Sequence, residues 1–263
     1  MKELLTVERA RVTYARPGQR RLAAVDDVSF SLGAGHVMGV VGESGSGKST
    51  LAKAICGLVP LDSGGIRFRG FPVELLRARR RNRNLMGIKM VFQNPYASLN
   101  PRRTISSTIE DGLRASVGSP RWTVAELLNE VELDAGAGPR YPHEFSGGQR
   151  QRIAIARAIA SGPALLIGDE PIASLDASLQ SKIASLMRDL AVKSGASLLF
   201  ISHDLAVVRN IVDDVVVMHQ GAVVESGSVE SVWNDPQQTY TKQLIAAIPV
   251  VDGLGRIPGL TPT

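Results

Sequence analysis

The stretch Gly42-Glu43-Ser44-Gly45-Ser46-Gly47-Lys48-Ser49-Thr50 fits the pattern G-x-x-x-x-G-K-[ST], a P-loop. Its surroundings fit as well. His36-Val37-Met38-Gly39-Val40-Val41 reads as a buried strand before it, and Ser49 to Val59 as a helix after it. Glycines let a backbone wrap closely round an oxyanion. Successive N–H groups and the helix N-terminus then point at phosphate. In this pattern Lys48 reaches the β- and γ-phosphates and Ser49 ligates Mg²⁺. With strand, loop, Lys-Ser pair and helix all in register, a chance glycine-rich turn is a poor alternative.

The 263 residues suffice for one large α/β domain or two small subdomains. The chain is 44% hydrophobic and 21% charged, ordinary for a globular protein. No apolar run approaches the roughly 18 residues of a membrane span. Met1 to Glu8 lacks the apolar segment of a signal peptide, so a cytosolic location is expected. Cys56 is the only cysteine and is expected to act as a small buried hydrophobe. A net charge of +5 is mild for nucleic-acid binding and suits the surface of an anionic membrane. Arg77, Arg79, Arg80, Arg81 and Arg83 read as a solvated surface segment. No stacking aromatics are interleaved with them, as a nucleic-acid groove would require.

Residues 4–14 and 25–32 alternate apolar and polar, as strands of a half-exposed antiparallel sheet do. Tyr14 precedes the turn-forming Arg16-Pro17-Gly18; its position suits stacking on a nucleobase and covering a sheet edge equally. Ile66 to Gly70 reads as a strand opened by a turn at Asp62-Ser63-Gly64-Gly65. Ile88 to Gln93 reads as a short buried strand, after which Pro95 and Pro101 break regular structure. Residues 104–160 look helical. Thr123 with Glu126, and Ser146 with Gln149, form capping boxes on either side of a turn-rich segment, Asp134 to Pro142. Ala164 to Gly168 and Ser197 to Ser202 are fully apolar or nearly so, as in a parallel sheet covered on both faces. A helix lies between them, marked by Leu179, Ile183, Leu186, Met187 and Leu190. Gln220-Gly221 signals a hairpin. A last helix spans about 237–248, and the Gly/Pro-rich residues 253–263 read as a mobile tail.

In an open parallel sheet, ligands bind at the carboxyl ends of the strands. Four apolar strands here end in polar groups: the P-loop, Gln93, Asp169-Glu170 and His203. One such end is a capped strand; four together point to phosphoryl chemistry, which needs a metal, phosphate clamps and a placed nucleophile. Asp169 can hold Mg²⁺. Glu170 can polarise the attacking water. Gln93 and His203 then face Mg²⁺, water or the γ-phosphate. Ser146-Gly147-Gly148-Gln149 makes a second anion-binding nest at a helix N-terminus, besides serving as an N-cap. One nucleotide does not need two phosphate loops from a single fold. The second nest therefore suits the nucleotide of another subunit.

With these residues in place the sequence resembles the ATP-binding subunit of an ABC transporter over nearly its whole length. Residues 42–50 match the Walker A loop and 164–170 the Walker B strand. Gln93 matches the Q-loop, Phe145 to Gln149 the signature motif, Ser174-Leu175-Asp176 the D-loop and His203 the switch histidine. The resemblance implies an α/β fold: a P-loop NTPase core with a mostly parallel sheet, an antiparallel β-subdomain and an inserted α-helical subdomain. It implies a core of residues 1–93 and 161–235, a helical subdomain 94–160 carrying the signature, and a C-terminal helix and tail 236–263. ATP and Mg²⁺ are the implied cofactors. Tyr14 becomes the adenine-stacking aromatic. Gly42, Ser44, Gly45, Ser46, Gly47, Lys48, Ser49 and Thr50 bind ATP. Ser49, Gln93 and Asp169 manage the metal, and Glu170, His203 and Gln93 are catalytic. Ser146, Gly147, Gly148, Gln149 and Asp176 act on the ATP of a second ATPase subunit, a paralogue or this chain itself. Two membrane permeases and an extracytoplasmic binding protein complete the assembly. The chain would sit at the cytoplasmic face of a bacterial plasma membrane, with no nucleic-acid partner.

A narrower resemblance, over 91–102 and 235–249, is to the peptide/nickel importer branch. Peptide is the first substrate expectation; nickel, a metallophore or glutathione is the alternative. Many members carry a cysteine-rich tail; residues 257–263 hold no cysteine, and no iron–sulfur cluster is expected. Ile172-Ala173-Ser174 departs from the more usual Thr-Ser-Ala. Two other classes stand as alternatives: a soluble ABC ATPase working on nucleic acid or ribosomes, and a non-catalytic regulatory subunit.

Overall fold

The computed structural model describes residues 3–16, 19–76, 82–116 and 121–248. The turn at Pro17-Gly18, four of the five clustered arginines and the Gly/Pro-rich tail lie outside the described residues. In chain order the first strands are β1 (Glu3–Arg16), β2 (Gln19–Gly33), β3 (Val37–Val41), β4 (Ser63–Phe68) and β5 (Phe71–Pro72). There follow β6 (Ile88–Val91), β7 (Leu165–Asp169), β8 (Ser197–Ser202), β9 (Asp214–His219) and β10 (Ala222–Ser228). The helices are α1 (Lys48–Ile55), α2 (Pro95–Ser98), α3 (Ile105–Arg114), α4 (Val124–Glu130) and α5 (Gly147–Ala160). The last four are α6 (Ala177–Ser194), α7 (Leu205–Ile211), α8 (Val229–Asn234) and α9 (Thr239–Ala246).

One sheet is antiparallel, in the order β2-β1-β4-β5. The other has the order β10-β9-β3-β8-β7-β6 and is parallel except for the β9–β10 hairpin. The strands of the parallel part are buried along both faces, which is why they read as unbroken apolar runs. Alternation sorts their side chains into two layers. Val37, Val41, Leu166, Leu198, Phe200, Val215 and Val217 join the core shared with the helices of residues 105–211. Val40, Leu165, Ile167, Leu199, Ile201, Val216 and Met218 face α1 and the antiparallel sheet. Each fully buried aliphatic side chain contributes about 1.5–3 kcal/mol. Between Gln220 and Gly221, both at positive φ, the hairpin turn is locked to its neighbours. Gly221 N–H donates to the Ser46 carbonyl at 3.0 Å, and its carbonyl accepts Asp26 N–H at 2.8 Å.

The structure departs from the sequence reading in four places. The helix after the P-loop stops at Ile55, not Val59, because Gly57 takes a left-handed φ of 69°. Residues 63–65 are not a turn: Ser63 pairs with Arg11 and Gly65 with Glu8 inside the sheet. Gly64 is glycine for another reason, since a Cβ there would meet the Arg9 carbonyl at 2.1 Å. The turn comes instead at Arg69-Gly70, both at positive φ, so the strand ends at Phe68 and not Gly70. Pro95 starts a one-turn helix, where its missing N–H costs nothing. Both capping boxes are present.

The C-terminal segment is tied to β10 by Glu225, whose carboxylate accepts the N–H groups of Gln237 and Gln238 at 2.7 and 3.1 Å. Burial pushes this carboxyl up, but the hydrogen bonds it accepts outweigh burial and leave its pKa lowered. A carboxyl lowered in the folded state adds stability above its unfolded pKa, about 4.3, and loses it as pH falls through the folded value. Glu225→Gln is expected to cost about 0.5–1 kcal/mol at pH 7 after allowance for solvent screening, and less at an acid pH where the folded carboxyl is protonated. Urea melts at the two pH values check this; an equal cost at both would sink it.

Candidate active site

β3, β8, β7 and β6 lie side by side and parallel, so their carboxyl ends share one rim. The P-loop leaves β3, Gln93 follows β6, Asp169 ends β7 and His203 follows β8. Asp169 faces a neighbouring cavity together with Gln93, and the other groups border an open one of about 420 Å³. Its walls are Ser44, Gly45, Gly47, Lys48, Ser49, Thr50, Gln93, Glu170 and His203, with Ala24 from β2. Gly42 and Ser46 lie buried in the same loop. Gly42 is at a φ of 146°, and a Cβ there would meet the Met218 carbonyl at 2.1 Å.

Lys48 is 4% exposed. Its Nζ donates to the carbonyls of Gly42 at 2.7 Å and Glu43 at 2.8 Å. Glu170 Oε1 stands 3.8 Å away. Burial pushes the Lys48 ammonium down from its ordinary value, while the charges of Glu170, Asp169 and Glu43 push back. Ser49 Oγ donates to Asp169 Oδ1 at 2.6 Å. Glu170 adopts a left-handed φ of 50°, an uncommon conformation for this residue type, with its N–H held by the Ile201 carbonyl at 3.0 Å. That turn swings its carboxylate off the strand axis and over the P-loop. Glu170 Oε2 then lies 2.7 Å from His203 Nδ1. With Glu170 ionised, Nδ1–H is the donor. The cavity thus holds a buried ammonium, a carboxylate oriented by an imidazole, and a hydroxyl backed by the Asp169 carboxylate.

Other sequence-predicted residues lie elsewhere. Tyr14 is exposed on β1 opposite Leu22 and does not line the cavity. Ser146 and Gln149 are exposed, and each is engaged by the other in capping α5, at 3.3 and 2.9 Å. A Cβ at Gly147 would meet nothing within 4 Å. Asp176 is exposed at the start of α6 and makes no side-chain capping bond. The unusual Ile172-Ala173-Ser174 has a physical account. Ile172 is buried in the core, and Ser174 Oγ donates to the Gln93 carbonyl at 3.4 Å.

Three contacts escape sequence reasoning. Ala24 comes to the cavity only because β2 crosses above the P-loop. Arg150 is 6% exposed and donates to the carbonyls of Pro142 at 2.6 Å and His143 at 3.2 Å, fixing the turn before Ser146. It lies three residues before Ile153 on a buried helix face, and that spacing is the available signal. Tyr240, on α9, contacts the P-loop at Glu43.

The ABC transporter family profile matches residues 25–173, more than half of the chain. The chain belongs to the ABC transporter family. It is 46% identical over 246 residues to the oligopeptide transport ATP-binding protein OppF of Haemophilus influenzae, covering 91% of this chain and 73% of that protein. Among solved structures it resembles cbiO1 of Clostridium perfringens, part of the ABC transporter complex cbiONQ. That match has a TM-score of 0.76 at 26% identity over 89% of this chain and 92% of that one. It also resembles a dimeric ATP-binding cassette caught after hydrolysis with ADP and Pi, with a TM-score of 0.72 at 25% identity over 86% and 99% of the two chains. This ABC cassette is an ATPase, and the cavity at the strand ends is where its P-loop opens. No described helix is long and apolar enough to cross a membrane.

Proposed function

We propose that this chain hydrolyses ATP to drive peptide uptake through membrane permeases. It would be one of two ATPase subunits at the cytoplasmic face of a bacterial plasma membrane. The likeness to an oligopeptide transport subunit over nine-tenths of the chain supports the substrate class. The observation that carries the chemistry is the contact chain from buried Lys48 through Glu170 to His203. Lys48, with the P-loop amides, binds the phosphates. Glu170 accepts a proton from the attacking water, and His203 keeps the carboxylate turned toward the γ-phosphate.

Ser49 and Asp169 are hard oxygen donors already in contact, which fits a small divalent cation; Gln93 would be its third protein neighbour. Mg²⁺ bound there would neutralise phosphate charge. Gly147 supports a composite site. Among the described residues nothing fills the space a Cβ would take there, so a demand for glycine at this position would come from outside the subunit. The ATP of a second subunit, a paralogue or a copy of this chain, fits that demand. Residues 94–160 then form the arm that presents Ser146 to that ATP, while 1–93 and 161–235 hold this chain's own. Tyr14 would reach adenine at the open side of the cavity.

The test is reconstitution with two permease subunits and a binding protein in vesicles. ATP-dependent uptake of a labelled oligopeptide is expected, with no response of ATPase rate to DNA or RNA. Uptake of nickel alone would move the substrate reading to the metal alternative.

A further inference from the structure

Helix α9 reaches the P-loop from the far end of the chain. Tyr240 Oη accepts the Glu43 N–H at 3.1 Å. The Tyr240 ring lies against His219, the last residue of β9, with centroids 3.9 Å apart at 35°. Next to His219 is Met218, whose carbonyl closes off the space at Gly42. The peptide unit joining Gly42 to Glu43 is therefore gripped at both ends. Its carbonyl accepts Lys48 Nζ at 2.7 Å, and its N–H donates to Tyr240. Rotating that peptide plane would break both bonds at once. The orientation of the plane also sets where the Lys48 ammonium rests.

The helix carrying Tyr240 is itself secured. Glu225 holds the N–H groups of Gln237 and Gln238 just before it. Tyr240, Leu244 and Ile248, four residues apart, pack against the main core. Burial raises the Tyr240 hydroxyl above its ordinary pKa, so it stays a neutral phenol.

We propose that Tyr240 is a positioning residue of the nucleotide site. It holds the Gly42–Glu43 peptide so that Lys48 is aimed before nucleotide arrives. The gain is preorganisation: a loop already ordered loses less entropy on binding. The inference rests on the P-loop being the nucleotide site, and it adds a residue outside every motif that defines that site. Tyr240 acts through Lys48 and the loop backbone, without touching phosphate.

The experiment uses the full chain and three proteins: wild type, Tyr240→Phe and Lys48→Ala. Phe keeps the ring on His219 and removes only the hydroxyl. A net hydrogen bond corresponds to a factor of about five in affinity. A fluorescent ATP analogue should bind Tyr240→Phe about fivefold more weakly. KM for ATP should rise by the same factor with kcat unchanged, and the melting temperature of the nucleotide-free protein should move by less than about 2 °C. Amide exchange at Glu43 should quicken in the variant. Unchanged affinity for the analogue overturns the proposal, as does a fall in kcat at constant KM. Exchange of the wild-type Glu43 amide at the rate of a free loop also overturns it, and needs no variant. Lys48→Ala separates the two levels of failure. If it binds the analogue like wild type, the nucleotide site is misread and the brace falls with it. If it loses binding while Tyr240→Phe does not, only the brace falls.

Discussion

Glu170→Gln should lower ATP turnover by about a thousandfold and leave nucleotide affinity within about threefold of wild type. The substitution keeps the shape of the side chain, and the amide oxygen still accepts from His203 Nδ1, now 2.7 Å from the carboxylate. It removes the one carboxylate among the described residues that lines the cavity. Asp169 does not line that cavity, and its Oδ1 accepts from Ser49 Oγ. A positioned base is worth 10²–10⁴ in rate, roughly 3–5 kcal/mol of barrier. The check is single-turnover hydrolysis in the assembled transporter, with light scattering on the isolated variant. A persistent ATP-bound dimer is expected if two copies of this chain complete each other's sites. A monomer would assign the second site to a paralogue. Hydrolysis within tenfold of wild type would remove Glu170 from the role of base.

Lys48→Ala should weaken nucleotide binding by about a hundredfold. Taking away one member of a buried charge pair costs 2–5 kcal/mol, and each 1.4 kcal/mol is tenfold. Lys48 is 4% exposed, and its removal leaves Glu170 and Asp169 facing a triphosphate without compensation. Affinity within threefold of wild type would overturn the reading of the P-loop as the nucleotide site. The two variants should separate cleanly. Lys48→Ala loses binding and turnover together, whereas Glu170→Gln loses only turnover.

Most of this site was legible because it is written in local patterns. The P-loop depends on glycines at fixed offsets. The strand-end residues announce themselves by following apolar runs, and a parallel sheet gathers such ends on one rim. The parts that were not legible depend on contacts between distant segments. The reason for Gly64 is the Arg9 carbonyl on another strand, so the sequence alone suggests a turn. Ala24 enters the cavity through the way two sheets stack. Tyr240 meets Glu43 across 197 residues of chain, and nothing near Tyr240 advertises a phosphate loop. Even the capping box at Ser146 was readable in full, yet Gly147 has no evident task among the described residues of one subunit, whereas Gly148 packs against Leu179. Sequence supplied the motif; the empty space around Gly147 points to where its task lies.

The position of β3 between β8 and β9 bears on how this chain must be made. The P-loop strand leaves the ribosome early, but the strands on either side of it come from the last third of the chain. Gly35 donates to Ser197 Oγ across 162 residues. At about 5–20 residues per second, that gap is roughly ten to thirty seconds of synthesis. For that time Val37 to Val41 is an apolar segment with both edges unpaired, open to other nascent chains. The nascent antiparallel sheet offers the nearest cover, because Met38 and Val40 pack on that side once folded. Expression yield should therefore depend on translation speed and holding chaperones more than the stability of the finished domain would suggest.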